Sequence, residues 1–210
     1  MAARSKWLSY VFVACAAVLG CGAGLLWRQR PDSLPELASG VFLTPRRVVP
    51  DLNLIDDRGR RFTNASLAGH WSLLFFGYTN CPDVCPATLA TLAAVDKRIG
   101  VSRGQVRPEV VFVSVDAARD TPQRLAAYVP FFDSNFRGVT AADQPSIEAV
   151  AAKLGVAVSI HHEPDGSVSV DHSAAIFVVD PEGRVAAILT GPYTAPVIAA
   201  DLKLITAARS

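Results

Sequence analysis

Trp71-Ser72-Leu73-Leu74-Phe75-Phe76-Gly77-Tyr78-Thr79-Asn80-Cys81-Pro82-Asp83-Val84-Cys85-Pro86 is the stretch from which the rest of this 210-residue chain can be read. The apolar run Trp71 to Phe76 predicts a buried strand. Thr79-Asn80 is a polar turn, and two cysteines four positions apart follow, each succeeded by a proline. Ala87 to Ile99 predicts a helix. Pro86 would break a backbone hydrogen bond if that helix already ran through Cys81. The helix is therefore expected to start at Pro86, where proline is tolerated as the first residue. Cys81 to Cys85 then form a turn ahead of a helix N-terminus, whose unpaired N–H groups favour anions and are expected to lower a thiol's pKa. A three-residue spacer lets the sulfurs close as a disulfide or bind one metal as two thiolates.

About half of the chain is apolar and its net charge is +1, which gives no signal for a nucleic-acid partner. The length fits one domain and an appendage. Two of the four cysteines, Cys15 and Cys21, lie in an N-terminal apolar run and suit small apolar positions. The other two are Cys81 and Cys85, so the pair at the strand–helix turn carries whatever thiol chemistry the domain has.

Trp7 to Trp27 is an uncharged run of 21 residues with Arg4 and Lys6 before it and Arg28 and Arg30 after it. It is long enough to span a bilayer, with Trp7, Tyr10 and Trp27 at interface positions. The expected organisation is a membrane anchor over 1–30, a Pro-containing linker over 31–46 and one domain over 47–208. Val18-Leu19-Gly20-Cys21 also resembles a lipobox that would lipidate Cys21, although Gly22 to Trp27 stays apolar as a continuing span would. Charge on the two flanks is similar. The paired thiols favour a cytoplasmic N-terminus with the domain outside the cytoplasm.

Along the domain, Leu52 to Ile55 and Arg61 to Thr63 predict a hairpin about Asp56-Asp57-Arg58-Gly59. Val110 to Val115 predicts a second buried strand, ending at Asp116. Asp120 or Thr121 is expected to cap a helix with Pro122 in its first turn, reaching Phe132. A short extended piece at Val139-Thr140, a helix over Pro145 to Leu154 and a strand over Val156 to His161 follow. A hairpin turn at Pro164 to Ser167, strands over Ala174 to Val179 and Val185 to Leu189, and a helix over Pro196 to Ala208 complete the chain. Strands alternating with helices and closed by a hairpin predict an α/β, thioredoxin-like fold behind an N-terminal transmembrane helix.

Asp171-His172-Ser173 stands just before the strand at Ala174. In thioredoxin-like oxidoreductases the corresponding loop faces the active cysteines and normally carries a cis-proline. Here a histidine occupies that region. An imidazole beside two thiolates makes a Cys-Cys-His set, with soft sulfur suited to Cu(I) and imidazole to Cu(I) and Cu(II) alike.

With these motifs in view, the sequence resembles the Sco/SenC family of membrane-anchored copper proteins, which serve assembly of the copper centre of cytochrome c oxidase. The resemblance rests on Phe76-Gly77-Tyr78-Thr79, Cys81-Pro82-Asp83-Val84-Cys85-Pro86, Ser114-Val115-Asp116, Arg119-Asp120-Thr121-Pro122, Asp171-His172-Ser173 and Asp180-Pro181-Glu182-Gly183. It implies Cys81, Cys85 and His172 as ligands to one copper ion, with Asp116 and Asp120 on an acidic loop near the metal. Ala117 departs from the family's usual proline after the first aspartate. The implied partners are a cytochrome c oxidase copper-site subunit or another copper apoprotein, together with a thiol–disulfide reductase or an upstream copper donor, and membrane lipid through the N-terminal helix.

Blander alternatives stand beside each residue. The cysteines could form a structural disulfide or a metal-free redox pair, with Cys81 the nucleophile. On that basis the chain would be a thiol–disulfide reductase that keeps a partner's copper-site cysteines reduced; a peroxidase of the same fold is a weaker third. His172 alone could be a hydrogen-bonded core histidine. His161 and His162 suit solvated hairpin positions, and His70 a loop. Asp120 could be no more than a helix cap, and Asp116 no more than a loop-orienting residue.

Overall fold

Every residue of Ser72–Gly77 is buried. Because successive strand side chains point to opposite faces, full burial means that both faces of this strand are covered, which is why it reads as an unbroken apolar run. The computed structural model describes residues 34–100, 106–162, 168–172, 174–191 and 193–208, with the backbone alone over 159–162 and 168–172. The chain divides into two units, Met1–Pro35 and Glu36–Ser210, and the second carries the fold. The expected anchor at Trp7 to Trp27, with Cys15 and Cys21, lies outside the described residues, as does the hairpin turn at 164–167. Among the described residues no helix is long and apolar enough to cross a membrane.

In chain order the elements are β1 (Gly40–Val48), β2 (Leu54–Asp56), β3 (Arg61–Phe62), β4 (Ser72–Gly77), α1 (Val84–Gly100), β5 (Glu109–Ser114), α2 (Pro122–Tyr128), β6 (Arg137–Thr140), α3 (Gln144–Leu154), β7 (Val158–His162), β8 (Val168–His172), β9 (Ile176–Val179), β10 (Arg184–Leu189) and α4 (Ala195–Ala207). Eight strands form one mixed sheet in the order β1-β10-β9-β4-β5-β6-β2-β3, and β7 and β8 pair as a separate ribbon. β4 runs parallel to β5 and antiparallel to β9, so the sheet centre is a βαβ unit flanked by an antiparallel meander. This is the expected α/β thioredoxin-like architecture. Phe62, Phe75, Phe76 and Phe112 are among its largest fully buried side chains. Each contributes roughly 1.5–3 kcal/mol through the apolar area removed from water.

Two expectations are corrected. The linker predicted over 31–46 is a strand from Gly40 onward, because β1 pairs antiparallel with β10 along the sheet edge. Pro45 misleads a reading by composition: its register shifts between Phe42 and Arg47, and an edge strand with a bulge tolerates a residue that cannot donate. The segment Val168–His172, expected only as the approach to β9, is itself a strand. His172 therefore sits at a strand end, with its backbone paired to Val158.

Two turns use one device. Asp56 and Asp180 each accept hydrogen bonds from the backbone N–H two and four residues on, and from the arginine side chain at the fourth position. Between them Gly59 and Gly183 each adopt φ 75°, which a side chain would resist. Asp180 also receives Arg46 from β1 at 3.0 Å, pinning the edge strand to the β9–β10 turn. Burial by itself would raise the Asp180 carboxyl, but the Arg184 backbone and the Arg46 and Arg184 side chains outweigh it and hold it below the ordinary carboxylate range. Its contribution to stability is thus present above the unfolded carboxylate pKa of about 4 and is lost as pH falls through the lower folded value. Asp180→Ala is expected to destabilise the protein by about 3 kcal/mol at pH 7, with charged hydrogen bonds lost and Arg46 left without its carboxylate. Denaturant melts of both proteins from pH 7 to pH 2.5 check this; the gap between them should narrow below about pH 4.

Candidate metal centre

β4 ends at Gly77 and the chain turns through Tyr78 to Asp83 into α1. The helix starts at Val84, two residues earlier than expected, with Ala87 N–H bonding the Asp83 carbonyl at 3.1 Å. Pro86 fits inside this first turn because the first four N–H groups of a helix have no partner within it, so nothing is lost by lacking one. Cys85 is therefore helical, and only Cys81 belongs to the turn. The Cys85 N–H points at the Cys81 sulfur at 3.4 Å, which brings the two thiols together.

The two differ in access. Cys85 is fully buried and Cys81 is half-buried. Burial pushes the Cys85 thiol far up, and the neighbouring Cys81 adds to the shift while the Tyr78 backbone hydrogen bond opposes it. The thiol-acidifying effect expected of the helix start does not govern Cys85; desolvation of a buried thiolate is the larger effect. Gly77 makes room for this sulfur. A Cβ there would meet Phe112 Cε2 at 2.7 Å and Cys85 Sγ at 2.8 Å.

Asp120 is fully buried and does not cap α2. Thr121 is the cap, accepting from the Arg124 N–H at 3.3 Å. Asp120 instead reaches across to the thiol turn. It accepts from Thr79 N–H at 2.8 Å, from the Thr79 hydroxyl at 2.6 Å and from the Ser114 hydroxyl at 2.6 Å. Arg124 Nε donates to the same Thr79 hydroxyl at 2.7 Å, and its Nη2 bonds Asn80 Oδ1. The turn that carries Cys81 is thus held from α2 and from the end of β5. Asp116, also buried, pairs with Arg119 and orients its own loop. His70 pairs with Glu109, at the start of β5 and the opposite end of the strand from Ser114.

His172 comes to the same end of the sheet by topology. β9 is antiparallel to β4, with Ile176 opposite Phe75, so the chain just before β9 lies beyond the end of β4 from which the thiol turn departs. The His172 side chain lies outside the described residues. Among the described residues no group of three or more His, Cys, Asp or Glu side chains is placed to hold a metal.

Tyr128 was not singled out from the sequence. Its ring lies 5.7 Å from Phe112 and 5.3 Å from Phe132. Its hydroxyl is buried with no hydrogen-bond partner among the described residues. An unpaired buried hydroxyl costs about 1–3 kcal/mol. The signal for this residue was the spacing Leu125, Tyr128, Phe132, an inward helical stripe that reads as packing alone.

A family model described as SCO1/SenC matches residues 43–207. The chain is 34% identical over 175 residues to a Stutzerimonas stutzeri protein named for copper binding, covering 78% of this chain and 82% of that one. It is 32% identical to the mitochondrial SCO2 homologue of Bos taurus, over 80% of this chain and 64% of that protein, so it spans less than two thirds of that relative. Among solved structures, Arabidopsis thaliana ScoI with copper bound superposes with a TM-score of 0.71 at 33% identity, over 77% of this chain and 99% of that one.

Proposed function

The chain belongs to the SCO1/SenC family, and from that premise we propose that it is a copper-holding assembly factor in which Cys81, Cys85 and His172 bind one copper ion. Its destination is the copper-site subunit of cytochrome c oxidase or a similar apoprotein. The domain works outside the cytoplasm, tethered by the run Trp7 to Trp27.

The observation that carries this reading is the pairing of the two sulfurs at the mouth of the sheet, with Cys85 N–H 3.4 Å from Cys81 Sγ, at the sheet end to which the backbone of His172 also comes. Two soft sulfur donors fit a copper ion, and an imidazole would complete a compact set for Cu(I) or Cu(II). Relatives solved with copper bound lend the same support. The buried Cys85 thiol suits this role better than exchange: a metal that takes the place of its proton spares the cost of a bare thiolate in an apolar setting. Asp120, through Thr79, keeps the turn in place. Oxidation of the pair to a disulfide removes two electrons and two protons, and with them both thiolates, so copper loading follows thiol state.

The test is metal analysis of the purified full chain. The reduced protein, loaded with Cu(I) and desalted, is expected to retain about one copper per chain, whereas the disulfide form and Cys85→Ser retain little. Equal retention by the reduced and oxidised forms would overturn the reading.

One observation favours a thiol–disulfide reductase as the second reading. The half-buried Cys81 beside a buried Cys85 is the asymmetry of an attacking and a resolving thiol. Under that reading His172→Ala leaves reduction of a partner disulfide intact while Cys81→Ser abolishes it.

A further inference from the structure

Tyr78, Thr79, Asn80 and Cys81 form a tight turn, closed by the Cys81 N–H donating to the Tyr78 carbonyl at 3.2 Å. Thr79 and Asn80 are its two corner residues. Beyond the turn, the Cys81 sulfur meets the N–H of Cys85, which is fixed in α1. The place of Cys81 relative to Cys85 therefore depends on the turn that delivers it. Arg124, in the first turn of α2, grips both corners. Its Nε donates to the Thr79 hydroxyl at 2.7 Å and its Nη2 to Asn80 Oδ1. The Thr79 hydroxyl passes its own hydrogen to Asp120 Oδ1 at 2.6 Å, so its orientation is fixed from both sides.

We infer that Arg124 is a positioning residue for the outer thiol: by fixing both corners of the turn it sets where Cys81 stands relative to Cys85. This rests on the copper reading above. Two donors hold one ion well only when they are kept within about 0.5 Å of the geometry it requires. Cys85 is kept there by burial, and the half-buried Cys81 by its turn. The two grips on that turn differ in kind. The Asp120 side chain is 1% exposed and holds Thr79 from within the fold, whereas the Arg124 side chain is 46% exposed and holds the turn from the solvent side. Contacts of an exposed charged side chain add little to stability. What Arg124 adds is geometry, because a planar guanidinium presents its donors in a fixed fork that a lysine ammonium lacks. Its loss should therefore be felt at the site and hardly at all in the fold.

Four variants of the full chain test it: Arg124→Ala, Arg124→Lys, Asn80→Ala and the double variant Arg124→Ala/Asn80→Ala. Metal-free and reduced, Arg124→Ala is expected to melt within about 3 °C of the wild type. It should nonetheless bind Cu(I) about tenfold more weakly in competition with a chromophoric chelator, and the sulfur-to-Cu(II) charge-transfer absorption should shift. Arg124→Lys keeps the charge but loses the fork, so it is expected to bind as weakly as Arg124→Ala. The double variant should be no weaker than Arg124→Ala alone, because the arginine acts through the turn that Asn80 belongs to. Wild-type affinity and an unmoved absorption in Arg124→Ala would overturn the inference while the copper reading stands. Full rescue by Arg124→Lys would also overturn it, since charge and not grip would then be what the site uses. A wild-type chain that binds no copper would overturn both.

Discussion

Replacing His172 with alanine is expected to lower the copper affinity of the reduced full chain by more than the roughly 10–100-fold that loss of an outer hydrogen-bond partner costs, because a metal donor itself is removed. The register of the β7–β8 ribbon says why this histidine and not its neighbours. His172 pairs with Val158 at the base of the ribbon, four residues ahead of Ile176 and the central sheet. His161 and His162 pair with Ser169 and Val168, three and four steps farther out. At about 3.3 Å per residue they stand on the order of 10 Å along the ribbon from that base. The double variant His161→Ala/His162→Ala is therefore expected to bind copper as the wild type does. Competition titrations against a Cu(I) chelator read both variants. Unchanged affinity in His172→Ala would remove the three-donor site and leave a two-thiolate site or the reductase.

The second large effect belongs to Asp120. Its fully buried carboxylate accepts three hydrogen bonds, two from Thr79 and one from Ser114, and its ion pair with Arg124 is long at 3.8 Å. Asp120→Ala leaves the Thr79 N–H and two hydroxyls without their acceptor, the Ser114 hydroxyl among them fully buried. The expected loss is about 3–5 kcal/mol, the range for breaking a buried charged network. Asp120→Asn is expected to be milder but still costly, since its amide would present a donor to a donor. Because Thr79 precedes Cys81 by two residues, both variants should also expose Cys85, read as faster alkylation of the reduced protein below its unfolding transition. A shift below about 1 kcal/mol with Cys85 still protected would show that the turn is held by other contacts.

Much of this was legible locally. The strand at Trp71 to Phe76, the turn after it, the later strands other than β8 and all four helices follow from apolar periodicity and from where Pro, Gly and Asp stand. α1 starts at Val84, two residues ahead of the position expected from Pro86, because any place in the first turn tolerates a proline. β1 was missed because an edge strand is defined by its partner: only β10 makes Gly40–Val48 a strand. Asp120 stands beside the true cap, Thr121, and by its residue type suits the same role. Its acceptors' true donors, Thr79 and Ser114, are 41 and 6 residues away, and no local rule chooses between them and the helix.

The sequence by itself determined that two thiols four residues apart leave a buried strand, and that a histidine rather than a proline precedes the strand carrying Ile176. Covalent spacing and hydrophobic period are local properties, so they survive without coordinates. Only the tertiary structure decided which thiol is buried, which carboxylate holds the turn, and that the Tyr128 hydroxyl is buried without a partner among the described residues. Burial and hydrogen-bond partnership depend on what the sheet register brings together from distant parts of the chain. That is why the donor spacing could be read directly, and the surroundings that tune those donors could not.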